Sequence, residues 1–140
     1  MARTILVPFD GSPHARAGLE YAFETYPDAA VTVLHVVERT GELGFDDQAL
    51  EAWLERVDAA RADAQDVLER AEAIAAQRDR PLETALWVGR PTTAILAYTT
   101  EADVDHVVIG SRGTGDADGH LGSVADAVVH RSPVLVTVVR

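Results

Sequence analysis

Five short apolar runs, separated by stretches with helical spacing, constrain this chain more than any other feature. The runs are Thr4–Pro8, Ala30–Val37, Leu82–Val88, Asp105–Ile109 and Val134–Val139. Four of them are rich in Val, Ile or Leu without strict polar alternation, the pattern of strands covered on both faces; Leu82–Val88 is more mixed. Between them lie four predicted helices. Ser12 is a good N-cap, and Pro13 suits the first helical position because its missing N–H is not needed there. Leu19, Ala22, Phe23 and Tyr26 then mark one face, and the helix should stop before Pro27. A long second helix, roughly Asp46 to Arg78, carries Leu50, Trp53, Leu54, Val57, Ala64, Val67, Leu68, Ala71 and Ile74 at spacings of three and four. A third fits Pro91 to about Thr100. A fourth runs from near Gly122 to Arg131, where Pro133 bars continuation. Thr40 to Phe45, with two glycines, is the one linker-like stretch.

Strand–helix alternation requires crossover connections, and these give a parallel sheet with helices on both faces. The expected architecture is therefore α/β: a doubly wound five-stranded parallel sheet of order 3-2-1-4-5 with four helices. With 140 residues, 47% of them hydrophobic, the chain suits one domain over residues 1–140 with a sizeable core. In the expected order, the chain direction switches between strands one and four, and a ligand crevice opens outside the carboxyl ends of such strands. Strand one runs into Pro8-Phe9-Asp10-Gly11-Ser12, and strand four into Gly110-Ser111-Arg112-Gly113. After eight more residues comes Gly122-Ser123-Val124, opening the fourth helix. Backbone N–H groups at a glycine turn and a helix N-terminus form a seat for an anionic oxygen such as phosphate.

Composition removes several chemistries. The chain has no cysteine, which excludes disulfides, thiolate catalysis and cysteine-ligated zinc. All of its basic residues are arginine. Without lysine, Walker-type phosphate loops and Schiff-base chemistry are ruled out. A formal charge of -11 opposes binding to nucleic acid, whose phosphate backbone would be repelled. Acidic excess with lysine depleted resembles the proteome style of salt-loving archaea. No segment approaches the ~20 apolar residues of a membrane span, and the first residues enter a strand without a secretory signal pattern. The expectation is a cytoplasmic protein with neither membrane nor nucleic acid as partner.

Beyond these physical readings, the chain resembles the universal stress protein family over nearly its whole length. The resemblance is carried by Ile5-Leu6-Val7-Pro8-Phe9-Asp10-Gly11-Ser12, Val33-Leu34-His35-Val36-Val37, Gly89-Arg90-Pro91, Ala102 through Gly113, Gly122-Ser123-Val124-Ala125-Asp126 and Arg131-Ser132-Pro133-Val134-Leu135-Val136. It implies a fold of the adenine nucleotide alpha-hydrolase-like kind and, for many members, ATP binding through a G-x-x-G, nine-residue spacer, G-[S/T] motif. By position, Pro8 and Phe9 would supply apolar surface near the base, and Val36 would hold adenine through its backbone. Asp10 would contact ribose or a phosphate-bound metal ion. Gly110, Arg112 and Gly113 would form the ribose–phosphate loop, and Gly122, Ser123 and Val124 would serve the phosphates. The implied ligand is ATP, with Mg²⁺ or Mn²⁺, or AMP.

Thr114 to Leu121 departs from the motif: it is one residue short and acidic. Carboxylates at Asp116 and Asp118, if turned inward, would repel a phosphate by roughly 4 kcal/mol at about 4 Å; a bridging divalent cation would reverse that sign. Other readings stand beside the ligand roles. Asp10 either holds the loop after strand one or meets ligand. Ser123 either caps its helix or meets phosphate, or does both. Asp116-Ala117-Asp118-Gly119 reads as a solvated turn, since the remaining ligands of a calcium loop are missing. His14, His35, His106 and His130 show no metal-ligand spacing, and only His120 falls in the phosphate loop. No Ser-His-Asp arrangement and no catalytic carboxylate pair stand out, so any hydrolysis would be at most a slow ATPase activity. The last strand, Val134–Val139, falls at the sheet edge, and exposed edges invite pairing. The resemblance implies a homodimer through that strand. The alternative function is therefore a homodimeric protein-interaction module that binds no nucleotide.

Overall fold

The computed structural model of the chain describes residues 3–38, 47–112 and 121–140, with the side chains of residues 47–50 and 53 excepted. The expected linker Thr40 to Phe45 lies outside the described residues. Nine elements follow in order: β1 Thr4–Pro8, α1 Pro13–Thr25, β2 Ala30–Val37, α2 Asp47–Gln77, β3 Glu83–Val88, α3 Pro91–Glu101, β4 His106–Gly110, α4 Ser123–Arg131 and β5 Leu135–Val139. The five strands form one sheet of order β3-β2-β1-β4-β5, and every neighbouring pair is parallel.

Side-chain parity explains why the inner strands read as unbroken apolar runs. Successive residues of a strand point to opposite faces. Ile5, Val7, Val31, Val33 and Val108 join Leu19 and Phe23 of α1 and Val67, Ala71 and Ile74 of α2 in one core. Leu6, Leu34, Val107 and Ile109 join Ile95 of α3 and Ala125 and Val128 of α4 in a second core on the other face. Each inner strand is therefore mostly apolar on both faces, with Thr32 and His106 as buried polar exceptions. The edge strands are less buried: β3 leaves Leu86 and Val88 43% and 65% exposed, and β5 leaves Leu135 67% exposed.

Local signals fix the helix ends nearest the crevice. Ser12 Oγ accepts the N–H of Ala15 at 3.2 Å, and Pro13 occupies the first turn of α1. At the far end, Arg80 reaches across and donates to the carbonyls of Phe23, Tyr26 and Ala29 at 2.8, 3.2 and 3.1 Å. Those carbonyls lie at and beyond the end of α1, where no intrahelical donor remains. The long helix departs from its expected packing. Among its described side chains the buried ones are Ala64, Val67, Ala71, Ile74 and Ala75, whereas Leu54 is 47% exposed. A helix of 31 residues is longer than strands of five to eight residues, so one sheet face cannot cover its whole length.

Candidate functional site

The carboxyl ends of β1 and β4 open side by side, and a cleft of about 390 Å³ lies there. Its walls grow directly from the strand ends. Beyond β1, Phe9 N–H donates to Leu34 O at 2.9 Å, holding the chain against β2. Asp10 Oδ1 then accepts the N–H of Ser12 at 2.9 Å. Gly11 turns the chain at φ +81°, a left-handed value that favours glycine. His35 fastens the same loop: its Nδ1 lies 2.9 Å from Phe9 O. A carbonyl oxygen only accepts, so Nδ1 carries the proton. Beyond β4, Ser111 N–H donates to Val139 O at 2.8 Å, tying that loop to the last strand.

Pro8, Leu34, Val36, Ile95, Ile109 and Ala125 make the cleft largely apolar, and Asp10, His35, Glu38, Arg112 and Ser123 supply its polar groups. One end is the N-terminus of α4. Gly122 stands at its N-cap position without a side-chain cap, and Ser123, Val124 and Ala125 all line the cleft. First-turn N–H groups have no intrahelical acceptor, and they carry the positive end of the helix dipole. Arg112 adds a permanent cation. Its Nη2 donates to His14 Nε2 at 2.8 Å, which requires that this imidazole nitrogen be unprotonated.

Of the residues expected from sequence, Pro8, Phe9, Asp10, Val36, Gly110, Arg112, Ser123 and Val124 line the cleft. One expectation needs correction. Gly122 N–H is not free for an anion, because it donates to Ser111 O at 2.7 Å; the glycine joins the β4 loop to α4 instead. Gly110 lines the cleft, but its missing Cβ also serves packing. A Cβ there would sit 2.6 Å from both the carbonyl carbon and the oxygen of His14, so the first turn of α1 needs that space. Gly113, Asp116, Asp118 and His120 lie outside the described residues. Sequence reasoning missed His35 and Glu38. Their signal was positional: both fall at the carboxyl end of β2, next to the switch point.

The model of the universal stress protein family matches residues 1–140. The chain belongs to that family. A universal stress protein of Thermus aquaticus, from the 3′ region of a QAH/OAS sulfhydrylase, is 35% identical over 100% of both chains. Universal stress protein UspA from Lactobacillus plantarum superposes with a TM-score of 0.82 at 28% identity, covering 99% of this chain and 97% of that one. More distant structures share the fold. One is a universal stress protein in complex with cAMP, at TM-score 0.66 and 22% identity, covering 99% of this chain and 97% of the other. Another, from Arabidopsis thaliana with AMP bound, has a TM-score of 0.72 at 16% identity and covers 98% of this chain and 90% of the other. Among the described residues of this family member, no helix is long and apolar enough to cross a membrane.

Proposed function

We propose that the cleft binds an adenine nucleotide, ATP with Mg²⁺ or Mn²⁺ or else AMP, and that the protein is a stress-response binding or sensing module. The observation that carries this reading is the meeting of an apolar wall with the uncapped N-terminus of α4 inside one cleft. A nucleotide has the same polarity, a flat base at one end and anionic oxygens at the other. The cleft volume falls within the roughly 300–1,000 Å³ of small-ligand sites. In this reading, Pro8, Phe9 and Val36 receive the base. Asp10 meets ribose or the metal ion, and Gly110 and Arg112 stand beside the sugar and phosphates. Ser123 and Val124 donate their N–H groups; Gly122 contributes only position. The relatives with AMP and with cAMP bound support the ligand class.

A divalent ion would come with the nucleotide. Among the described residues no three metal-ligating side chains cluster, and Asp10 already accepts the Ser12 N–H. Magnesium commonly uses one or two carboxylates beside phosphate oxygens and water, a mode that one Asp10 carboxylate fits. Isothermal titration with ATP and AMP, with and without Mg²⁺, in molar KCl tests the reading. Saturable binding is expected, and no affinity for either nucleotide rejects it.

A second reading, the homodimeric interaction module without nucleotide, draws on two observations. The Gly122 N–H is already spent on Ser111, and β5 stands at the sheet edge with Leu135 exposed. Mass spectrometry of small molecules released from freshly purified, undialysed protein separates the two: adenine nucleotide in stoichiometric amount favours the first, and none favours the second.

A further inference from the structure

A smaller pocket of about 190 Å³ lies against the β1–α1 loop, lined by Phe9, Gly11, Arg16, Arg70, Ala73, Ile74 and Gln77. Phe9 borders both this pocket and the cleft, so the same loop forms a wall of each. Among the described residues no carboxylate lines the pocket, although the chain has 23 acidic residues against 12 basic ones. Its floor is apolar and well packed, with Phe9 and Ile74 only 4% and 6% exposed. Its lining residues with polar side chains are Arg16, Arg70 and Gln77.

Neither arginine is used up by the protein. Arg16 commits Nε to Glu20 at 2.7 Å, and among the described residues its Nη groups have no acceptor. Arg70 faces Asp66 at 3.5 Å, too long for a good hydrogen bond, with both side chains more than half exposed. The Arg70 guanidinium lies flat against Gly11: a Cβ there would be 2.9 Å from Nη2 and 3.2 Å from Cζ. Gly11 therefore sets where the guanidinium rests. Paired guanidinium forks with open N–H donors match the oxygens of a phosphate or a carboxylate.

We infer that the Arg16–Arg70 pocket is a second anion site, distinct from the cleft, that takes a small oxyanion of the phosphate or carboxylate type. It does not depend on the nucleotide reading, because none of its polar groups lines the cleft. The test is a site-resolved NMR titration of the whole chain with inorganic phosphate and, separately, with acetate, against chloride at equal ionic strength. Saturable shifts are expected at the Gly11 N–H, the Arg16 and Arg70 Nε–H and the Gln77 side-chain amide. Whichever of phosphate or acetate saturates them names the oxyanion. Arg70→Gln is expected to weaken this binding by roughly tenfold or more. Ala73→Glu, which sets a carboxylate at the exposed rim, should do the same. Ser123→Asp, which puts negative charge in the cleft, should leave it unchanged. Shifts that match chloride, that stay confined to Ser123–Ala125, or that persist in both Arg70→Gln and Ala73→Glu overturn the proposal.

Discussion

His106 shows how a single residue can tie stability to pH. It is 3% exposed, its Nε2 lies 2.7 Å from Thr137 Oγ1, and among the described residues its Nδ1 has no hydrogen-bond partner. Burial first, and the Arg3 charge second, push its pKa below the ordinary 6.5. The folded state thus holds this imidazole neutral, while the unfolded chain takes up the proton more readily. Its contribution to stability is complete above about 6.5, is lost as pH falls below that value, and levels off once the depressed folded pKa is passed. Urea midpoints between pH 8 and 5 should fall more for the wild type than for His106→Gln; parallel curves would refute the assignment. Two glycines offer a contrast at the same scale. Gly110→Ala places a Cβ 2.6 Å from the His14 main chain, which cannot yield as a side chain can. A loss of roughly 1–3 kcal/mol is expected. At Gly18 the nearest atom to an added Cβ, Gly110 N, is 3.5 Å away, an ordinary contact. Gly18→Ala should therefore stabilise α1 by roughly 0.5–1 kcal/mol through helix propensity. Thermal melts of the two variants should move in opposite directions.

Between helix ends, the logic is one of unmet backbone groups. Arg80 satisfies three carbonyls around the end of α1, and its guanidinium lies 5.0 Å from the centre of the Phe23 ring. Arg80→Ala should cost about 2–3 kcal/mol in denaturant unfolding, given the strength of hydrogen bonds to charged donors. Arg80→Lys should rescue little, since one ammonium cannot reproduce the planar fork. At the start of α4 the unmet groups are donors instead. Ser123→Asp puts a carboxylate in the first turn, which favours the helix by about 0.3–1 kcal/mol. The same charge repels an anion in the cleft. The variant is expected to melt no lower than wild type while losing nucleotide affinity in titration; tight nucleotide binding by it would contradict the placement of phosphates at α4. The caps of α1 were legible from Ser12-Pro13 because capping is local chemistry. The grip of Arg80 was not: it joins residues 51 to 57 positions apart, and no local pattern records it. The exposure of Leu54 in α2 was equally hidden, because an amphipathic stripe states which face is apolar and not whether a sheet lies opposite.

For the molecule as a whole, the β5 edge is the feature that invites a partner. Leu135 and Val129 are 67% and 42% exposed, and among the described residues β5 pairs on one side only, with β4. A homodimer through β5 would bury this edge. If the proposed homodimer forms through β5, Leu135→Glu, at an exposed position of the single chain, should leave the fold intact while light scattering shows a monomer where the wild type gives a dimer; a variant that stays dimeric, or a wild type that is already monomeric, would remove β5 from any interface. The strand order, the parallel sheet and the crevice were legible in the residue pattern. Strands buried on both faces must be mostly apolar, and crossover connections leave few topologies. The meeting of Asp10, Val36, Arg112 and Ser123 followed from that order, since all lie at or just beyond carboxyl ends of strands or at a helix start facing them. Which amides were already taken, and which glycine served packing, could be decided only in three dimensions. Gly122 gives its N–H to Ser111, and Gly110 makes room for His14, through contacts between segments distant along the chain. Periodicity and capping are properties of neighbouring residues and survive in the sequence. Hydrogen-bond satisfaction and steric clearance depend on every segment that arrives at a point, so they exist only once the chain has folded.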